Sequence, residues 1–181
     1  MINQSIKILV VLLLPLSLFA QSGKFSEYEV KAAFLEKFTR FIEWPREEHI
    51  EDVSKPFIVG IIGEIPFKSI LEKMYSKQKI KNKKVELRYI STVDEINGCN
   101  LLFISKSENN RINQILSYTK NKPILTICDE KEFSKKGVLI ALFVESGHVL
   151  FEIDKNAVQK AGLYVSSLLL NLSQDRNPEE N

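Results

Sequence analysis

Apolar residues recur at helical spacing through Val30, Ala33, Phe34, Phe38, Phe41 and Ile42, directly after Ser26-Glu27-Tyr28-Glu29. The Ser26 hydroxyl can accept from the Glu29 N–H while the Glu29 carboxylate reaches back to Ser26, a reciprocal cap. Pro45 disfavours a helical Trp44. The pattern predicts one amphipathic helix over 27–43, with Phe34, Phe38 and Phe41 packed in a core. Residues 46–55 are polar and read as a loop. Residues 57–62 are an apolar run ending at Gly63, the pattern of a buried strand. Pro66 opens a second helix with Phe67, Ile70, Leu71, Met74 and Tyr75 on one side. Residues 77–84 are basic and polar and read as a solvated connection. Val85, Leu87 and Tyr89 then alternate with Glu86 and Arg88, as in a strand with one exposed face.

Asn97-Gly98 is a turn signal. Residues 101–104 form a third strand, Ser107 is expected to cap a helix carrying Ile112, Ile115 and Leu116, and 123–127 form a fourth strand. The rhythm changes after Gly137. Residues 138–144 and 149–153 flank Glu145-Ser146-Gly147-His148 as a β-hairpin. Asp154 is expected to cap a last helix with Val158, Ala161, Val165, Leu168, Leu169 and Leu172 on one face. Strand–helix alternation from 57 to 127 predicts an α/β fold: a mostly parallel, Rossmann-like sheet with flanking helices. An antiparallel hairpin edges it near the C-terminus, and the N- and C-terminal amphipathic helices pack on the sheet.

The first twenty residues follow another logic. Lys7 is their only charge, an apolar run occupies 8–14, and Pro15, Ser17 and Ala20 follow. This is a secretory signal peptide with cleavage expected after Ala20. The run is shorter than the ~20 apolar residues that span a bilayer. The expected organisation is a signal peptide over 1–20, one domain over 21–173 and a polar tail over 174–181, with a periplasmic location.

Composition then narrows the chemistry. The chain has 181 residues and a formal charge of +2, which losing Lys7 lowers by one. So weak a charge does not advertise nucleic acid binding. Two cysteines and two histidines cannot build an all-cysteine or three-histidine zinc site. No nucleophile elbow, P-loop or dinucleotide fingerprint is visible, and Gly60-Ile61-Ile62-Gly63 has the wrong spacing for a phosphate loop. His49 and His148 read as surface residues. No catalytic constellation, metal or cofactor is expected.

One cluster follows from the fold. Ligands gather at the carboxyl ends of parallel strands. Those ends place Gly63, Ser105, Ser107 and Asp129 on one rim, where helix N-termini near Pro66 and Ser107 would favour an anion or polar ligand. The alternative is that the serines only cap and Asp129 only turns the chain. The cysteines can be placed too. Cys99 precedes the third strand and Cys128 ends the fourth, so parallel neighbours hold them roughly 16 Å apart. A disulfide needs Cα atoms within about 7 Å. No bond between them is expected, leaving buried thiols or an intermolecular bridge.

The segments together resemble the YfiR-like family. Glu27-Tyr28-Glu29-Val30-Lys31-Ala32-Ala33-Phe34-Leu35 with Phe38, Phe41 and Trp44-Pro45 is similar to its N-terminal motif. Cys99-Asn100-Leu101-Leu102-Phe103-Ile104-Ser105 resembles its central strand. Phe151-Glu152-Ile153 and Ala161-Gly162-Leu163-Tyr164-Val165-Ser166-Ser167-Leu168-Leu169 resemble its C-terminal motif. The resemblance covers nearly the whole mature chain. It implies a non-enzymatic periplasmic regulator that binds, and represses, the periplasmic part of a membrane signalling protein such as a diguanylate cyclase. Envelope state would thereby control cyclic di-GMP and biofilm formation. It also allows a homodimer and a small-molecule ligand, and a sensing domain using the rim is the alternative reading.

Relatives pair a cysteine at the position of Gly60 with that at Cys99 and carry a second pair near the edge hairpin. Here Gly60 has no thiol and Cys128 no partner. The motif residues carried over are Lys31, Trp44, Pro45, Phe151, Ala161, Gly162 and Ser166. Gly162 is expected within a helix, at a site of close packing. Glu152, Leu163 and Leu169 are the first candidates for partner contact, with packing as the alternative. Glu152→Lys is expected to weaken partner capture without unfolding the chain.

Overall fold

The computed structural model describes residues 26–173. The expected signal peptide and the tail over 174–181 lie outside them. No described helix is long and apolar enough to cross a membrane.

The first helix, α1 (Glu27–Phe41), starts with the expected reciprocal cap between Ser26 and Glu29 and runs directly into the two-residue strand β1 (Ile42–Glu43). Strand β2 (Phe57–Ile62) is followed by α2 (Lys68–Tyr75), β3 (Lys79–Ile80) and β4 (Lys83–Ile90). Next come β5 (Leu101–Ile104), α3 (Ile112–Thr119), β6 (Leu125–Cys128) and α4 (Lys131–Ser134). Strands β7 (Ile140–Glu145) and β8 (His148–Ile153) form the hairpin. The chain closes with α5 (Lys155–Lys160), β9 (Tyr164–Val165) and α6 (Ser167–Leu172).

The main sheet has the order β3-β4-β2-β5-β6-β7-β8. Strands β4, β2, β5, β6 and β7 are parallel, while β3 and β8 run antiparallel at the two edges. The expected α/β architecture with its edge hairpin is therefore the one observed. Alternate side chains of the buried strands feed two apolar layers. Phe57, Val59, Ile61, Leu101 and Phe103 face α1 and α2. Ile62, Leu102, Ile104 and Cys128 face α3 and α4. The aromatic stripe of α1 packs as predicted: Phe38 is buried and meets Phe34 and Phe151 at 5.3 and 5.0 Å between ring centres. Helix α1 touches both edge strands, β3 and β8, so the sheet curls around it.

Three local readings change. Residues 77–84 are not merely a solvated connection. Ile80 is buried, and Lys81 and Asn82 take φ of 50° and 64°, folding β3 back onto β4. The stem of Lys83 is buried beside it, with Nζ donating to the His49 carbonyl at 3.3 Å. Ser107 does not cap a long helix. It sits in a 3-10 turn capped by Ser105, and α3 begins later, at Ile112.

The largest change is at the C-terminus, where one expected helix is two short ones separated by β9. Gly162 takes φ of +75°, the left-handed conformation that ends helices and that other residues adopt at a cost. The chain then turns to pair β9 with β1, Ile42 opposite Val165, and Ser166 N donates to the Phe41 carbonyl at 2.9 Å. Gly162 is thus a helix terminator, not a close-packed helical glycine. A Cβ added there would find only Pro45 Cγ, at 3.7 Å. Gly162→Ala should therefore cost about 1–2 kcal/mol from backbone conformation alone, with Gly162→Asn costing less. Urea unfolding of the two variants checks this, and equal midpoints for alanine and native chain would contradict it.

Candidate functional site

The parallel strands change direction of progression between β2 and β5, since β2 leads through α2 to β4 on one side and the chain then crosses to β5 on the other. Such a switch point opens a crevice at the strand ends. Gly63, Ser105 and Ser107 meet there, as the sequence predicts. The crevice, however, is filled by their own hydrogen bonds. The Ser105 hydroxyl donates to the Glu64 carbonyl at 2.5 Å, the Glu64 N–H donates to Ser107 Oγ at 3.0 Å, and the two serine oxygens lie 3.1 Å apart. Gly63 makes this closure feasible. Its φ is +87°, and a Cβ there would lie 2.5 Å from Ser107 Oγ and 2.9 Å from Ser105 Cβ. The serines are brace residues joining β2 to β5.

Asp129 extends the same brace. Its carboxylate accepts from the Lys106 N–H at 3.0 Å and faces Lys31 Nζ at 3.9 Å. Lys31 is buried and also pairs with Glu27 at 2.7 Å. The motif lysine of α1 thereby ties the first turn of its own helix to the end of β6. The open groove beside the rim, about 860 Å³, includes Glu64, Glu130 and Glu132 against the single cation Lys106. Glu132 is paired with Lys135 at 3.0 Å, which leaves Glu64 and Glu130 to balance Lys106 along the groove. Of the two helix N-termini expected at the rim, that of α3 starts later, at Ile112, and the rim's polar groups are paired with one another.

The three candidates for partner contact are not brought together. Glu152 is 8% exposed; it accepts from the Ser134 hydroxyl at 3.1 Å and faces Lys131 Nζ at 3.5 Å, fastening α4 to β8. Leu163 and Leu169 are buried in the layer on the opposite face, with α1. What faces solvent in this segment is Tyr164, Leu168 and Leu172, at 63%, 57% and 64% exposure. The residues that reasoning from the sequence missed are these. A single helix through 155–172 puts Leu168 and Leu172 on the inner face, and the break at Gly162 resets the phase. The helix-ending glycine was the signal that could have found them.

The remaining motif residues assemble around the β1–β9 joint. Trp44 packs edge-on against Phe57 at 5.5 Å, with its ring N–H buried and unpartnered among the described residues. Pro45 adjoins Gly162, Ala161 is buried, and Ser166 caps α6 by accepting from the Leu169 N–H. Phe151 closes on Phe34 and Phe38. These residues hold the C-terminal segment against the helix that the N-terminal motif builds.

Cys99 and Cys128 are buried free thiols. Register pairs Cys128 with Ile104, five positions beyond Cys99, which matches a separation of roughly 16 Å. Burial pushes Cys99 up to about 11 and Cys128 up to about 12, so neither is a thiolate near neutral pH. Gly60 lies directly against Cys99. A Cβ at position 60 would be 2.8 Å from Cys99 Sγ, close to the roughly 3 Å that a disulfide requires between one Cβ and the other sulfur.

The geometry is that of an α/β domain with a braced rim and an outward-facing apolar C-terminal segment. Residues 28–174 match the family described as YfiR/HmsC-like, and the chain belongs to it. That family comprises periplasmic, generally non-enzymatic regulators of cyclic di-GMP signalling, which work with a membrane signalling partner. No curated protein matches the chain.

Two outcomes follow from the site. Gly60→Cys should oxidise with Cys99, read as the loss of two hydrogens in intact mass and a shift on non-reducing electrophoresis. An unchanged mass, with both thiols alkylated after unfolding, would show the two backbones are misaligned. Glu152→Lys would set a second ammonium beside Lys131 and leave Ser134 without its carboxylate. It should lower stability by about 1–3 kcal/mol by urea unfolding, where the sequence alone predicts weaker partner capture with stability kept, and an unaltered midpoint would refute the bracing role.

Proposed function

We propose that the mature protein, released by cleavage after Ala20, resides in the periplasm and represses an inner-membrane signalling protein, such as a diguanylate cyclase, by binding its periplasmic part. Repression is by sequestration and needs no catalysis. The observation that carries this reading is the solvent-facing apolar character of 164–172. Leu168 and Leu172, one turn apart on α6, project from the same side of a helix whose other side holds Leu169 in the core. With Tyr164 they form an exposed apolar patch of the kind that marks an interaction surface. Leu163 and Leu169 act beneath it as supports. The smaller rim reading, a sensing domain at Gly63, Ser105, Ser107 and Asp129, is less favoured because their polar groups are already paired with one another.

Where the resemblance implies cysteine pairs, this chain has two separate buried thiols. Regulation in this proposal rests on partner binding.

Capture of the cyclase from envelope membranes by tagged protein tests the proposal, with cellular cyclic di-GMP as a second readout. The double change Leu168→Glu with Leu172→Glu should abolish capture and raise cyclic di-GMP while the thermal midpoint stays near native. Leu169→Ala should instead destabilise by about 2–5 kcal/mol. Capture that survives the double glutamate change would remove this surface from the interface.

A further inference from the structure

Helices α1 and α2 lie side by side on one face of the sheet and run in the same direction. Tyr28 stacks on Phe67 at 6.0 Å near their starts, while Lys37 and Arg40 share a hollow with Met74, Gln78 and Lys79 near their ends. Between them runs a trough of about 560 Å³ whose floor is Val30, Ala33, Phe34, Ile70 and Met74. All five are only partly exposed, so the floor is recessed. Its rim carries Lys37, Lys73 and Lys77, all exposed. Among the described residues none of these three lysines pairs with a carboxylate. Glu29, at the opposite end, is committed to capping Ser26, and Glu36 to Arg40 at 2.8 Å. The trough is therefore apolar along its length and cationic towards the C-terminal ends of both helices.

We infer that this trough binds a single-chain anionic amphiphile, a free long-chain fatty acid. The alkyl chain lies on the recessed floor, and the carboxylate meets the ammonium groups of Lys37, Lys73 and Lys77. The volume lies in the range of ordinary small-ligand sites. Met74 supplies an unbranched, adaptable side chain suited to a flexible tail. Charge decides the head group: unpaired lysines beside an apolar slot attract an anion and repel a cation. Shape decides against the broad face of a partner helix, which would meet the raised lysines before reaching a floor with no strongly exposed side chain. The site is separate from both the braced rim and the 164–172 surface, and it does not depend on the identity of the protein partner.

Calorimetric titration of the exported chain with monomeric dodecanoate tests this. One saturable site is expected, and dodecyltrimethylammonium, with a chain of the same length and the opposite charge, should bind about tenfold more weakly or less. Replacing Lys37, Lys73 and Lys77 together by Gln should weaken dodecanoate by about tenfold or more without shifting the ligand-free thermal midpoint. Met74→Trp should block the floor and reduce binding of any chain. Absence of saturable binding, equal binding of the two head groups, or indifference to the lysine changes would overturn the inference. So would binding confined to phosphatidylglycerol vesicles or to an acidic amphipathic peptide.

Discussion

The burial of α1 is the constraint on which the rest of the structure depends. Its inner stripe, Ala32, Leu35 and Phe38, is fully enclosed, and Ile42 continues that stripe into β1. Because α1 reaches both β3 and β8, it spans the two edges of the sheet, and the sheet must curl to cover it. Each large side chain enclosed in this way contributes about 1.5–3 kcal/mol from apolar burial. The two-residue edge strand β3 and a covering helix also limit the open backbone that sheet edges otherwise present. The joint between β1 and β9 then locks the C-terminal segment onto the end of the same helix. Motif residues far apart in the chain, Trp44 and Pro45 with Ala161, Gly162 and Ser166, serve this one connection.

The strand ends show how a position suited to a ligand can become structural. The switch between β2 and β5 provides a crevice, and in many α/β folds a ligand sits there. Here the left-handed Gly63 lets Ser107 approach so closely that hydroxyl and backbone groups satisfy one another. Asp129 and Lys31 continue the bracing to β6 and α1. Polar groups that would otherwise recruit a ligand are spent on holding strand ends in register, and the neighbouring groove is acidic. The apolar side chains left facing outward lie instead on helical surfaces.

Those surfaces divide the work. The outward side of 164–172 offers exposed aromatic and leucine side chains of the kind that anchor protein interfaces. The trough between α1 and α2 is recessed and rimmed by lysine, which selects by charge and by width. The cysteines take part in neither: both are enclosed and both are held as thiols by burial. Gly60 leaves the space beside Cys99 to Ile90 and Leu102.

Much of the fold was legible in the residues because local pattern and tertiary demand agreed. The capping box at Ser26, the apolar runs of β2, β5 and β6, and the Ser146-Gly147 turn each have one favourable reading, and all were recovered. The rim serines and Asp129 were placed correctly as neighbours, because strand ends in a parallel sheet share one edge whatever the side chains. Their role was not legible, since it depends on distances between Gly63, Ser105 and Ser107 that only the packed strands set. Nor was the inner or outer direction of Leu163, Leu168, Leu169 and Leu172. A leucine-rich stretch is compatible with one helix until Gly162 is committed to a left-handed turn, and that commitment is rewarded only when β9 finds β1. The sequence by itself thus determined most of the longer elements and their order, through local propensity and periodicity. Only the tertiary structure decided which polar groups are consumed in bracing and which apolar ones are left facing solvent, because both depend on contacts between segments distant in the chain.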